Sequence, residues 1–228
     1  MGRWFLVAVT MLLAGPACAQ AIDLAWDDCG VGGVTSKTFA CSTNVGSEDL
    51  VASFAGFSFQ APIVAYNVDL IIQTPNDSLL PDWWMVGSGL CRAGAVAPGY
   101  LPSDGPGCAN LGVTPDSTQQ FFHSTLGFPN QAELSVVGYF SGGLQPTSGV
   151  EYLGARLRIM NTNAFGIGAC GGCSDYATIT LRQMVFLLSD GSVTTIRFSN
   201  RQNVVTWQTN TVPSLPKSWG QIKALYRR

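Results

Sequence analysis

The sequence predicts an all-β fold: an antiparallel β-sandwich, jelly-roll-like, with long disulfide-pinned loops and a short C-terminal helix. Three observations predict it. The apolar residues lean to a period of two rather than that of a helix. Turn residues separate these runs at short intervals, as in sandwiches and barrels. Six cysteines remain once an N-terminal export signal is removed, and an even count in an exported chain argues for cross-links.

Residues 1–21 read as a signal peptide. Arg3 is a short basic region, and Trp4 to Ala14 is a largely apolar stretch. Ala17-Cys18-Ala19 and Ala19-Gln20-Ala21 are two candidate cleavage motifs of the A-x-A type. The apolar stretch is shorter than the roughly 20 residues that span a bilayer. No later segment is apolar for long enough, so no transmembrane segment is expected in the mature chain. Cys18 follows Gly15-Pro16-Ala17, a poor match to a lipoprotein signal. The expected location is secreted or cell envelope, periplasmic or extracellular, and the short signal favours a bacterial source.

Residues 22–212 are expected to form the sandwich. Lys37 to Cys41 is a short first strand, followed by Val51 to Phe59 and the β-branched run Ile63 to Gln73. Ala132 to Phe140, Tyr152 to Met160, Tyr176 to Leu188, Ser192 to Phe198 and Asn203 to Gln208 continue the pattern. Asp190-Gly191 separates two of these runs and signals a tight hairpin. A loop-rich insertion at about 74–131 holds seven of the twelve prolines, with at most a few short strands or one helical turn. Residues 213–228 read as a linker and a short basic amphipathic helix. Ser218-Trp219-Gly220-Gln221 fits a capping box, and Trp219, Ile222, Leu225 and Tyr226 share one side. Lys223, Arg227 and Arg228 suit the helix C-terminus. This tail is expected to dock on its own sandwich as a cap or to act as a docking or sorting element.

Charged residues make up 11% of the chain, against the usual quarter or so. Their distribution is lopsided. Residues 22–155 carry twelve acids and two bases, and residues 156–228 carry nine bases and two acids. Strands from the two halves can interleave and neutralise one another, or molecules can associate head to tail. No basic patch interleaves with aromatics, so nucleic acid is not an expected partner.

The cysteines are Cys29, Cys41, Cys91, Cys108, Cys170 and Cys173. Neighbour pairing is the simplest map: Cys29 with Cys41, Cys91 with Cys108, Cys170 with Cys173. The last pair forms C-x-x-C, which in redox proteins opens a helix; here a strand pattern follows and nothing basic is near. Zinc needs a second close ligand pair, which is missing. A disulfide ring in a glycine turn is the expected state. Gly166 to Gly171 matches G-x-G-x-x-G, but a strand follows where a dinucleotide site needs a helix.

His123 is the single histidine and sits beside Phe121 and Phe122 without a nucleophile motif, so it reads as a structural or surface residue. Asp27, Asp28, Asp69, Asp82, Glu133 and Glu151 are available for a carboxylate pair of the glycosidase type, which sequence does not assemble. Asp23, Asp27 and Asp28 offer oxygen ligands for Ca²⁺ without an EF-hand spacing, and a solvated acidic loop is the plainer reading. Trp83 and Trp84 are the best binding candidates. On a strand, neighbours point to opposite faces, so one ring could pack inward and the other face a ligand such as a sugar; the plainer reading is that both rings pack the loop region.

The expectation is therefore an exported, non-catalytic protein acting in binding, adhesion or structure at the cell surface or outside the cell. Its partners are copies of itself, a cell-surface protein or a glycan, and no metal or cofactor is called for. The alternatives are a carbohydrate-binding module using Trp83 or Trp84 and a carboxylate-dependent glycoside hydrolase.

Overall fold

Strands dominate because the period-two runs leave one row of side chains to bury and one to expose. The computed structural model describes residues 21–75, 79–99, 107–109, 119–197 and 202–208. The expected signal peptide up to Gln20, and the tail with Trp219, Ile222, Leu225 and Tyr226, lie outside the described residues. In chain order the strands are β1 (Ala21–Trp26), β2 (Ser36–Lys37), β3 (Ser47–Ala55), β4 (Ile63–Gln73), β5 (Val96–Pro98) and β6 (Gln119–Thr125). They continue with β7 (Gln131–Leu144), β8 (Glu151–Met160), β9 (Ala177–Leu188), β10 (Val193–Arg197) and β11 (Val204–Trp207).

Two sheets form. The smaller runs β1-β3-β8-β5, and the larger runs β2-β11-β9-β4-β7-β6, with β10 on the same edge of β9 as β11. All pairs among the described strands are antiparallel except β2 with β11. This is the expected all-β sandwich. Ile22, Leu24, Phe54 and Leu157 from the small sheet and Val68, Leu70, Leu134 and Phe186 from the large one share a single core. Asp190-Gly191 makes the expected hairpin between β9 and β10, with Gly191 at φ +84° and its N–H on the Leu188 carbonyl at 3.0 Å.

Two strand expectations need correction. Lys37 to Cys41 is a strand only at its start, in β2, because Phe39 instead packs inward on Trp207. The true first strand is Ala21–Trp26, which pairs residue for residue with β3 and is buried throughout. The insertion at 74–131 contains β5, β6 and a 3₁₀ turn at Asp82–Trp84.

Neighbour pairing of the cysteines is overturned. The disulfides are Cys29–Cys108, Cys41–Cys173 and Cys91–Cys170. The C-x-x-C turn is held by Gly172 at φ +95°, which packs against Pro81, and it sends its two sulfurs to two different loops. Sequence separations of 79, 132 and 79 residues make each link worth about 4.5–5 kcal/mol on the chain-entropy model, more than short neighbour loops would give. Three such links place the folded chain in an oxidising compartment.

The Cys41–Cys173 link lies beside a cluster of aromatic rings at one end of the sandwich. Trp207 stacks on Phe39 at 3.8 Å and meets Trp84 at 5.3 Å, Trp83 at 5.5 Å and Trp26 at 5.9 Å. Its indole N–H donates to the Cys173 carbonyl at 2.7 Å. Arg92, also buried, lies over the Trp83 ring at 3.3 Å and donates to the carbonyls of Trp83, Met160 and Thr162. Burial lowers its pKa to about 9, which leaves it charged at neutral pH. It ties the 81–98 segment to the end of β8.

Among the described residues, part of the charge asymmetry is met by pairs between the two halves. Arg156 and Arg158 on β8 pair with Asp49 on β3, and Arg182 on β9 pairs with Glu133 on β7 at 3.2 Å. Basic strands from the second half lie between or beside acidic strands from the first.

Candidate functional site

The outer faces of the two sheets differ. On the small sheet, Ala21, Ala25, Val51, Ser53, Ala55 and Leu153 are all buried although they point away from the shared core. Cys29 and Cys108 pack on Val51 and Leu153, so the 29–108 link caps that face. The outer face of the large sheet carries exposed large apolar side chains instead.

Register assigns that face to rows. One row crosses Tyr139 (β7), Ala65 (β4), Leu187 (β9) and Val193 (β10). Tyr139 is 50% exposed, Leu187 39% and Val193 61%, so an apolar strip lies open at this end. The next row runs Gln120, Val137, Asn67, Val185 and Thr195. Beyond it come Phe122, Ser135, Asp69, Gln183 and Arg197. Phe122 is 51% exposed.

This third row is a hydrogen-bonded network. The Asp69 carboxylate accepts from Asn67 Nδ2 at 2.8 Å, Ser135 Oγ at 2.7 Å and Gln183 Nε2 at 2.6 Å. Gln183 Oε1 in turn accepts from Arg197 Nε at 3.0 Å. Asp69 is only 5% exposed, because its neighbours close over it. A register shift between Asp69 and Leu70 opposite β9 makes room for it: Leu70 faces Leu181 and Asp69 faces Gln183, leaving Arg182 as the extra residue. The bulge puts Arg182 and Gln183 on the same outer face. The extra residue shifts the phase of the alternation, from Ala177, Ile179 and Leu181 to Met184, Phe186 and Leu188, a signal the reading of a single Tyr176 to Leu188 run passed over.

Of the candidate carboxylates, Glu133 shares this outer face with Asp69, opposite Ile71 and two residues along from it, and the other expected site residues lie elsewhere. Trp83 and Trp84 are fully buried, so neither ring offers a face to a sugar. The strand argument fails because both residues sit in a 3₁₀ turn, where successive side chains do not alternate. Asp27 pairs with Lys37 at 2.8 Å, Asp28 caps the backbone of Cys29 and Gly107, and Asp23 is buried within β1. These three acids therefore do not converge on one cation. Glu151 accepts from Ser53 Oγ at 2.6 Å on the capped face, and Glu133 is held by Arg182. Asp82 opens the 3₁₀ turn.

A cleft of about 380 Å³ lies between the 86–96 segment and β6, lined by Val86, Gly87, Val96, Phe121, Phe122 and His123 among others. No carboxylate is among its lining residues. Burial holds the His123 imidazole below its ordinary value, outweighing a backbone hydrogen bond at Trp84 that acts the other way. His123 is half-buried in β6, with Gly87 packed close to its ring. Among the described residues no helix is long and apolar enough to cross a membrane.

No family model matches the chain, and no curated protein matches it significantly. Among solved structures it is similar to a cohesin module of a family 33 glycoside hydrolase from Clostridium perfringens, at 6% identity and a TM-score of 0.38, covering 83% of this chain and 96% of that one. It is also similar to the OlpC cohesin of a type I cohesin–dockerin complex from Clostridium thermocellum, at 13% identity and TM-score 0.36, covering 82% and 93%. A type II cohesin domain from the cellulosome of Acetivibrio cellulolyticus matches at 10% identity and TM-score 0.33, covering 82% and 95%. Scores this low carry no argument about partner or assembly, and the sandwich rests on the strand pairing described above.

Proposed function

We propose that this chain is an exported, non-catalytic binding protein of the cell surface or extracellular space, and that its binding face is the outer surface of the large sheet. One observation carries the reading: the small sheet's outer face is capped by a cross-linked segment, whereas the large sheet leaves Tyr139, Leu187 and Val193 open. Open apolar strips rimmed by polar side chains mark protein contact sites. The chemistry favours a protein surface over a glycan. The Asp69 oxygens are already taken by three side-chain donors, so the centre of the face is not free to read sugar hydroxyls.

The test uses the secreted full chain on intact cells of its source. Saturable binding that falls at least tenfold in a Tyr139→Asp/Leu187→Asp double variant, with an unchanged melting curve, is the expected result. Binding unaffected by that change, or competed away by free oligosaccharide, would overturn the assignment of the face.

A further inference from the structure

Sheets manage their free edges by keeping them short, charged, bulged, covered or stopped by proline. Nearly every edge among the described strands obeys this. The outer side of β1 is covered: Leu24 N–H donates to Gln202 O at 2.8 Å and Trp26 N–H to Val34 O at 2.8 Å. β2 has two residues, one of them Lys37. β5 has three and ends in Pro98. β10 is a short hairpin arm ending in Arg197.

β6 is the exception. It is seven residues long, Gln119-Gln120-Phe121-Phe122-His123-Ser124-Thr125, with no proline, glycine, lysine, arginine or carboxylate. It pairs with β7 in unbroken register, without a bulge. Among the described strands it pairs only with β7. Uncharged segments of this composition are efficient strand-pairing templates. The cleft beside it is bounded by Phe121, Phe122 and His123 on β6 and by Val96 on β5, the edge strand of the opposite sheet. Apolar surface therefore lies next to a backbone edge that no described strand covers.

We propose that β6 is a strand-addition site and that its occupant is β6 of a second copy of this chain, paired antiparallel about a two-fold axis at Phe122. The sequence is self-matching in that register. Phe122 meets its own copy, Phe121 meets His123, Gln120 meets Ser124 and Gln119 meets Thr125, and no charged pair opposes the approach. A two-fold contact of this kind uses up both edges and stops at the dimer. The proposal goes beyond the binding-face reading and does not depend on it.

The experiment is sedimentation equilibrium of the secreted full chain over a range of concentrations, with two double variants at exposed positions of β6. Gln120→Lys/Ser124→Lys sets like charges opposite each other twice across the axis. Gln120→Glu/Ser124→Lys sets opposite charges there. The wild type dimerises, the double-lysine variant dimerises about tenfold more weakly, and the glutamate–lysine variant recovers the dimer, while all three share one circular dichroism spectrum. A wild type that stays monomeric at every concentration overturns the proposal, as does a dimer indifferent to the lysines. A monomer whose β6 edge instead captures an extended strand of another protein overturns the choice of occupant. Loss of cell binding in the Tyr139→Asp/Leu187→Asp variant with the dimer intact separates the two proposals.

Discussion

Replacing Trp207 with alanine removes the centre of the aromatic cluster. The ring is fully buried, stacked on Phe39 at 3.8 Å and in contact with Trp26, Trp83 and Trp84. Truncating a buried tryptophan costs about 3–5 kcal/mol, and the number of ring partners puts this site near the upper end. The Cys173 carbonyl is not orphaned by the change, because Gln208 Nε2 also donates to it at 3.0 Å. At about 2–4 °C per kcal/mol for a domain of this size, Trp207→Ala lowers Tm by about 10–20 °C. Trp207→Phe keeps the stack on Phe39 and loses the indole N–H and part of the volume, for about 2 kcal/mol. The assay is thermal unfolding by near-ultraviolet circular dichroism under non-reducing conditions. A shift below about 3 °C for Trp207→Ala, or equal shifts for both variants, would refute the view that this cluster anchors the cross-linked end.

Non-reducing peptide mapping should recover Cys29–Cys108, Cys41–Cys173 and Cys91–Cys170; a Cys170–Cys173 peptide would contradict the structure. N-terminal sequencing of the secreted protein should begin at Gln20, since cleavage after Ala21 would remove a residue that is buried in β1 and paired with Ala55. His123 is held below its ordinary value of 6.5 mainly by burial, so the unfolded chain takes up its proton first and stability falls as pH drops below that value. His123→Gln should flatten the decline in Tm between about pH 7 and 5, and an unchanged slope would show that this ring does not cause it. Asp49 behaves separately. Burial would raise its carboxyl, but the hydrogen bonds and charges of Arg156 and Arg158 outweigh that and hold it low, so its stabilisation is lost only at more acid pH.

The strands were legible where side chains alternate cleanly. Ile63–Gln73 was read from its residues with the bounds the structure gives it, because both flanks are turn residues and the run is long. β1 was not legible, since Ala21–Trp26 straddles the expected cleavage site after Ala21 and is buried on both faces, which erases alternation. The oxidised state of the cysteines followed from export and their number. Their partners did not, because the connection depends on which loops meet at the end of the sandwich. Trp83 and Trp84 are both buried, which fits the plainer reading of two packed rings and not the ligand-facing one, since a single 3₁₀ turn cancels the rule that neighbours point apart. The proposed binding face needed the pairing register of four strands, which one strand's alternation does not supply.

The order in which cysteines arrive matters for a chain that enters an oxidising space from its N-terminus. Cys29 and Cys41 emerge first, and they are not partners. An oxidase working in order of arrival would close the wrong ring, and Cys41 finds its true mate only after 132 further residues have been delivered. Correct maturation therefore calls for delayed oxidation or a disulfide isomerase, which makes the helper enzymes of the host compartment part of what this sequence needs in order to fold.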